Sequence, residues 1–583
     1  MRPMADPAVP SASSDLSTLT GRVQLPAELA RAPGLKRLDW ILSLPEPAAF
    51  VGALAPQELY AWLCDIGKDD AYPLLEYADA EQLRGLVDLD AWDKNALQLP
   101  RVLEWLDLAR AVDLETAQRF IAAQDDELFL WLFTDGVEVL PADTDLDFIP
   151  DDRALFHTPD RMYVITVPRG HALEDRVPQL VELMWSADMA RSRTLLQQAQ
   201  FELRSANEEE LLRFRNARLT ELGFEPPIEA LSVYAYEPPI AAREGVHADL
   251  KTAPPAFGRA PSPLLTHQAT DLTLRGVTAP DLLRAAILAL PEADRLRTGD
   301  ALAALANKVF MADVGDLSRV DDLPLTSARA VAIANLGLAW LADESVDVAV
   351  EILRRRNPEF AFRVGHSLIT GLVRRARPLG RRAGVLLDFH VFGPPIDDLL
   401  DGLLMPRPLF PEALDDEGRV GWRAFTTPAD LALAETHLRE GDETLTWFET
   451  AFGFSPEALG AISGLSDDER RRVRLDTLFR TAVAHALLHD RVSFEPLAAD
   501  AVRAFARLAF TADGAASPAL SVVRSQAEGA PAGVRSFVDR ALATLTDALA
   551  GILPSDLDPR YASELLLVRR ESSASADSGL TVH

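Results

Sequence analysis

Between Leu44 and Trp105 the chain carries a pattern that leaves few folds open. Three similar openings follow one another at twelve-residue steps: Ala55-Pro56-Gln57-Glu58-Leu59, Gly67-Lys68-Asp69-Asp70-Ala71 and Asp79-Ala80-Glu81-Gln82-Leu83. Behind each stands an apolar pair one helical turn apart: Leu59 with Leu63, Ala71 with Leu75, Leu83 with Val87. Helices this short cannot bury an apolar face alone, so the pattern predicts short helices stacked into a superhelical array over 35–135. Such an array is an interaction scaffold by architecture, and it names no partner.

At 583 residues the chain is too long for one simple core. Periodicity divides it into a disordered leader at 1–33, a helical-repeat domain at 34–135, a small α/β insert at 136–240, a Pro-rich linker at 241–265, a helical domain at 266–560 and a disordered tail at 561–583. The insert rests on the strand-like Val137-Glu138-Val139 and on a hairpin joining Ala154–His157 to Met162–Val167 through Thr158-Pro159-Asp160-Arg161. Leu231–Tyr236 reads as one more strand. Beyond the linker, Thr278-Ala279-Pro280-Asp281, Asn357-Pro358-Glu359 and Thr427-Pro428-Ala429-Asp430 each place a polar cap before a first-turn proline, and the chain is expected to be helical to about 551. The expected class is mainly α.

Two resemblances attach to these segments. Leu44-Pro45, Phe50, Leu54, Pro56-Gln57-Glu58-Leu59, Asp69-Asp70-Ala71 and Leu74-Leu75 are similar to the cytoplasmic superhelical N-domain of bacterial magnesium transporters. Asp88-Leu89-Asp90-Ala91-Trp92, Trp105 and Phe156-His157-Thr158-Pro159-Asp160-Arg161-Met162-Tyr163 resemble an uncharacterised bacterial family named only as a domain of unknown function. That resemblance implies a fold and no activity.

The net charge of −31 argues against general binding of nucleic acid or anionic membrane, because the summed field repels polyanions. Cys64 is the only cysteine, which excludes an intramolecular disulfide and a thiolate metal cage and reads as a small core residue. No basic-then-apolar leader stands at the N-terminus, and the apolar run Ala330–Leu341 is too short to span a bilayer, so a cytoplasmic location without membrane insertion is expected.

Chemical motifs are sparse. Gly365-His366-Ser367-Leu368-Ile369 has the outline of a nucleophile elbow, but Ile369 stands where the second glycine belongs. Ser367 should lie mid-helix and, like Cys64, without the paired base of nucleophilic catalysis. His485 and His489 share a helical face at metal-ligand spacing, with Ala486 in place of the glutamate of H-E-x-x-H. Asp143, Asp145 and Asp147 alternate like a calcium loop, yet Phe148 and Ala154 occupy the glycine and glutamate positions, leaving a solvated acidic loop with Asp151 and Asp152. No cofactor and no metal are assigned.

The sharpest anomaly is a run of nine arginines, Arg354, Arg355, Arg356, Arg363, Arg374, Arg375, Arg377, Arg381 and Arg382, against one acid, Glu359. A local excess of this size calls for a partner. It is either internal, from the repeats or the Asp143–Asp152 loop, or an external anion or acidic protein. Arg374, Arg375, Arg377, Arg381 and Arg382 are the candidate interaction residues. The leading reading is a non-enzymatic scaffold or regulatory adaptor binding a protein partner. A divalent-cation-responsive regulator follows, then an enzyme whose site lies between the α/β insert and the C-terminal helical domain. Neither partner identity nor oligomeric state is written in the sequence.

Overall fold

A computed structural model describes residues 34–568 apart from 135–136, 146–148, 172, 202–203, 253–273, 275–276, 320–321, 386–389, 415–419, 456–458, 460–461, 464, 466, 512–516, 550–551, 553–556 and 558–563. The expected leader at 1–33, most of the Pro-rich segment and the last fifteen residues, 569–583, therefore lie outside the described residues. The chain forms two compact units, Met1–His366 and Ser367–His583.

The first unit opens with short helices: α1 (Gly34–Leu42), α2 (Pro47–Gly52), α3 (Pro56–Ile66), α4 (Lys68–Ala71), a 3-10 turn over Tyr72–Tyr77, and α5 (Ala80–Asp90). A two-residue ladder, β1 (Trp92–Asp93) with β2 (Ala96–Leu97), leads to α6 (Leu99–Val112), α7 (Leu114–Ala123) and α8 (Asp126–Thr134). All six residues of the apolar pairs, from Leu59 to Val87, are buried. Local chemistry sets the breaks. Asp79 accepts from Gln82 N at 2.8 Å while the Gln82 side chain accepts from Asp79 N at 2.9 Å, closing a capping box at the start of α5. The other end of that buried amide donates to Val51 O and Leu54 O, both at 2.7 Å, and so ties α5 to the end of α2. A Cβ on Gly85 would lie 2.5 Å from Pro56 Cβ, so glycine permits α3 and α5 to meet.

The period-2 alternation produces a three-stranded antiparallel sheet of β3 (Glu138–Pro141), β4 (Arg153–His157) and β5 (Tyr163–Pro168), in the order β3-β5-β4. Thr158–Met162 is its hairpin turn, closed by Arg161 N on Thr158 O at 2.9 Å and by Thr158 Oγ1 on Asp160 at 2.7 Å. Helices α9 (Val177–Ala187), α10 (Met189–Ala199) and α11 (Arg204–Glu221) follow. Gly223, with φ of +89°, ends α11, and Phe224 N returns to Leu219 O at 2.7 Å.

Two expectations fail next. Leu231–Tyr234 is a 3-10 turn after α12 (Pro227–Ala230), because Pro226-Pro227 starts a helical turn that carries Val233 into the core. Pro239–Thr252, which runs from the expected insert into the expected linker at 241–265, is helix α13, since proline in a first turn forfeits no bond. Then come α14 (Asp281–Ala289), α15 (Glu292–Asp313), α16 (Leu323–Ala342), α17 (Val346–Arg355) and α18 (Pro358–Ala383). By length and apolarity α16 qualifies as a membrane span, which the shorter run Ala330–Leu341 concealed; 78% of its most apolar window is buried. It crosses α18 through Gly337 and Gly365, where a Cβ on Gly337 would overlap the carbonyl oxygen of Ala361.

The second unit begins inside α18, which continues through Pro378, and adds α19 (Ile396–Leu404). A hairpin of β6 (Phe410–Leu414) and β7 (Val420–Arg423) then interrupts the expected run of helices. Helix α20 (Pro428–Phe452) starts with Thr427 and Asp430 as its capping box and carries Trp447, Phe448 and Phe452 into an aromatic core with Phe479, Phe494 and Phe537. Helices α21 (Asp467–Arg472), α22 (Leu475–His489), α23 (Ala499–Ala509), α24 (Pro518–Gln526) and α25 (Ala532–Leu549) complete it. Within the expected tail, Leu565 and Leu566 are buried, Leu566 O accepts from Leu497 N at 2.7 Å, and buried Arg480 of α22 pairs with Glu564 at 2.6 Å, which docks this stretch.

Candidate functional site

Three charged constellations stand out. The first is built on Asp88-Leu89-Asp90-Ala91-Trp92 at the end of α5. Arg218 from α11 grips Asp88 with two bonds, 2.6 and 2.9 Å, and reaches Asp125 at 2.8 Å. Arg215 donates to Asp88 O at 2.7 Å and lies 4.9 Å from the Trp92 ring, where burial pulls its pKa down to about 10. Asp90, two residues along, accepts from Tyr60 Oη at 2.9 Å, Lys68 Nζ at 2.5 Å and Trp105 Nε1 at 2.8 Å. Burial works against the Lys68 charge, but Asp90 and Glu104 hold its pKa above the ordinary lysine value. Burial, with Cys64 and Asp90 alongside, pushes the Tyr60 phenol up. Both carboxylates are thus occupied by protein donors, and the network locks α3, α5, α6 and α11 together. Charged groups removed from water need this degree of satisfaction.

The second constellation was not legible in the sequence. Asp397, at the start of α19, is 3% exposed; its Oδ2 accepts from Gly393 N at 2.6 Å, while Oδ1 is buried without a hydrogen-bond partner among the described residues. Burial pushes its pKa up to about 7. His390 meets Asp401 at 3.1 Å alongside, and burial also raises Asp398. Asp397-Asp398 reads in sequence as ordinary first-turn acids of a helix, so only the packing exposes its character.

The third is the arginine run, and the structure divides it. In the first unit, Arg354 pairs with Glu351 at 3.0 Å and Asp294 at 3.1 Å, Arg355 with Glu351 at 3.2 Å, Arg356 with Asp249, and Arg363 with Glu359 at 2.6 Å. In the second, Arg382 bridges Asp442 at 2.6 Å and Glu449 at 2.7 Å, and Arg375 stands 3.9 Å from Glu435. The carboxylates that these six arginines reach come from α13, α15, α17, α18 and α20. That corrects the expectation of acids from the repeats or the Asp143–Asp152 loop. Neighbouring helices supply them, and Glu351 lies just upstream of the window in which arginine predominates. Arg374, Arg377 and Arg381 are exposed, and Arg377 and Arg381 form no ion pair among the described residues. At steps of three and four they share one face of α18 with exposed Gly371 and Pro378.

The remaining candidates are scattered. Ser367 is buried in the middle of α18 and Cys64 lies part-buried in α3. The His485 and His489 rings are 5.8 Å apart, but buried His485 uses Nε2 on Glu495 O at 2.8 Å while His489 is exposed. Asp143, Asp145, Asp151 and Asp152 are exposed, and Asp147 lies outside the described residues. No three His, Cys, Asp or Glu side chains among the described residues are placed to hold a metal ion.

A family described as one of unknown function, DUF6178, matches residues 14–569. No curated protein and no solved structure matches the chain, so the similarity to magnesium-transporter N-domains finds no counterpart there.

Proposed function

The chain belongs to the family of unknown function DUF6178, and we propose that it is a helical scaffold or regulatory adaptor that binds a protein partner. One observation carries this reading: the ridge of Arg377 and Arg381 stands exposed on α18 with no ion pair among the described residues, although the chain as a whole is strongly acidic and Arg375 and Arg382 beside it are paired within the fold. Exposed like charges at helical spacing repel one another, so a ridge of this kind is relieved when acids from outside cover it. The partner is therefore acidic at its contact face.

Affinity purification from the native cell, with wild type and with Arg377→Glu/Arg381→Glu as baits, tests the reading. The expected result is a partner that wild type retains and the variant loses while the variant's Tm stays within about 2 °C, since exposed charges contribute little to stability. An identical set of proteins on both baits sinks the proposal.

A further inference from the structure

Residues 564–568 are held between α22 and the stretch 495–497 that leads into α23. The floor of this seat is α22. Arg480, only 2% exposed, donates Nε to Glu564 O at 2.8 Å and sets another nitrogen 2.6 Å from the Glu564 carboxylate. Its remaining nitrogen stays with Asp476 of the same helix at 3.2 Å. Thr481 Oγ1 donates to Thr477 O at 2.8 Å, so what it offers outward is an acceptor, which Leu566 N takes at 3.0 Å. The wall is Leu497. Its N donates to Leu566 O at 2.7 Å and its O accepts from Val568 N at 3.0 Å, a parallel bridge opposite Leu567. Leu565 and Leu566 are buried, whereas Val568 is exposed. Floor and wall are joined independently of 564–568, because His485 Nε2 donates to Glu495 O at 2.8 Å.

We infer that this seat is a peptide-docking groove which 564–568 close in cis, and that its exchangeable occupant is an extended segment of a partner carrying a carboxylate followed by two aliphatic residues. Glu564 O, Leu566 N, Leu566 O and Val568 N are backbone atoms that any extended segment supplies, which is how strand addition binds. Selectivity comes from Arg480 and from the seats of the two leucines. A guanidinium removed from water needs its charge answered. Lifting Glu564 leaves Arg480 with Asp476 as its one carboxylate among the described residues, so the emptied groove draws in another. Covalent attachment gives 564–568 a large concentration advantage over a free peptide. The groove therefore rests closed, and a partner enters by displacing the chain's own segment. The arginine ridge plays no part in this inference, and either reading can fail without the other.

The test uses the full chain and fluorescence anisotropy, with the labelled peptide Ala-Ser-Glu-Leu-Leu-Leu-Val-Arg-Arg, the sequence of 562–570, as probe. Glu564→Arg/Leu566→Asp unseats the chain's own segment and leaves floor and wall intact. This variant is expected to bind the peptide at least about tenfold more tightly than wild type, because the competitor in cis is gone. Adding Thr481→Val, or replacing the peptide's glutamate by glutamine, should weaken binding about tenfold. The glutamine peptide is the more positive of the two, so the acidic field of the chain alone would favour it; a groove that reads the carboxylate reverses the order. Hydrogen exchange on wild type guards against a variant that fails to fold. The Leu566 and Val568 amides are expected to exchange at least about tenfold faster than those in the middle of α22, and faster still when excess glutamate peptide competes for the groove. Equal binding by wild type and variant, no binding by either, or indifference to Thr481 or to the glutamate overturns the inference. So does exchange of 564–568 that keeps pace with α22 or is unmoved by the peptide.

Discussion

Asp397 has one carboxylate oxygen engaged by Gly393 N and the other buried without a partner among the described residues, and burial sets its pKa near neutrality at about 7. The charged groups that act on it are His390 and Asp401; Asp398, next in the chain, feels the same two and Arg474. Its folded pKa lies above the ordinary aspartate value of 3.8, so its protonated form favours the fold. The contribution is complete below the unfolded pKa and is lost as pH rises through about 7, where the folded protein must ionise a buried group. Asp397→Asn keeps an acceptor for Gly393 N and removes the ionisation. Its Tm relative to wild type is expected to climb between pH 5 and pH 8, with a stability difference on the order of a few kcal/mol at the upper end. Melting curves at both pH values check this, and a difference that stays constant with pH contradicts it.

At the scale of elements, α16 and α18 meet with almost nothing between their backbones. A Cβ on Gly337 would overlap Ala361 O and come within 2.8 Å of Ala361 C, and one on Gly365 would meet Ile333 O. Flexible side chains can yield to such an intrusion; two helix backbones cannot without moving apart. Gly337→Ala is therefore expected to destabilise by about 1–3 kcal/mol, although alanine is the better helix former, whereas Gly371→Ala, whose Cβ would meet open space, should be neutral or stabilising. Chemical denaturation of the two variants checks the contrast, and equal behaviour refutes the crossing. This crossing marks where sequence reading stops. The caps at Thr427 and Ser345, the hairpin around Thr158–Arg161 and the buried pairs from Leu59 to Val87 are local, and local patterns announce them. Gly337 and Gly365 look like weak points in helices until the two helices are seen to touch. The β6–β7 hairpin is short and irregular between Pro411 and Leu414, so no alternation gave it away. The arginine run was visible as composition, but its division into paired and exposed members depends on where α13, α15 and α20 place their acids.

Across the whole molecule the net charge of −31 and the exposed ridge should respond to salt with opposite signs. At roughly 0.01 M salt the screening length is about 30 Å, and the excess acids repel one another through much of the fold; at 0.15 M it is about 8 Å. Added salt relieves that self-repulsion. It also weakens surface pairs such as Arg356 with Asp249, but each contributes only about 0–1 kcal/mol. The Asp88 and Asp90 network is buried and is screened much less. Tm is therefore expected to rise between about 0.01 and 0.15 M sodium chloride. Arg377→Glu/Arg381→Glu takes the net charge from −31 to −35, two units for each of two reversals, so its Tm should lie below wild type at low salt and converge on it as salt is added. The ridge-dependent part of binding an acidic partner, the difference between wild type and this variant, is expected to weaken over the same interval, because it is the attraction of Arg377 and Arg381 that salt screens. Scanning calorimetry and anisotropy along one salt series measure both. If stability and binding fall together, the ridge is a structural ion-pair site rather than a docking face. If stability rises while ridge-dependent binding falls, the two electrostatic scales are separate, as the placement of Arg377 and Arg381 on the exposed face of α18 requires.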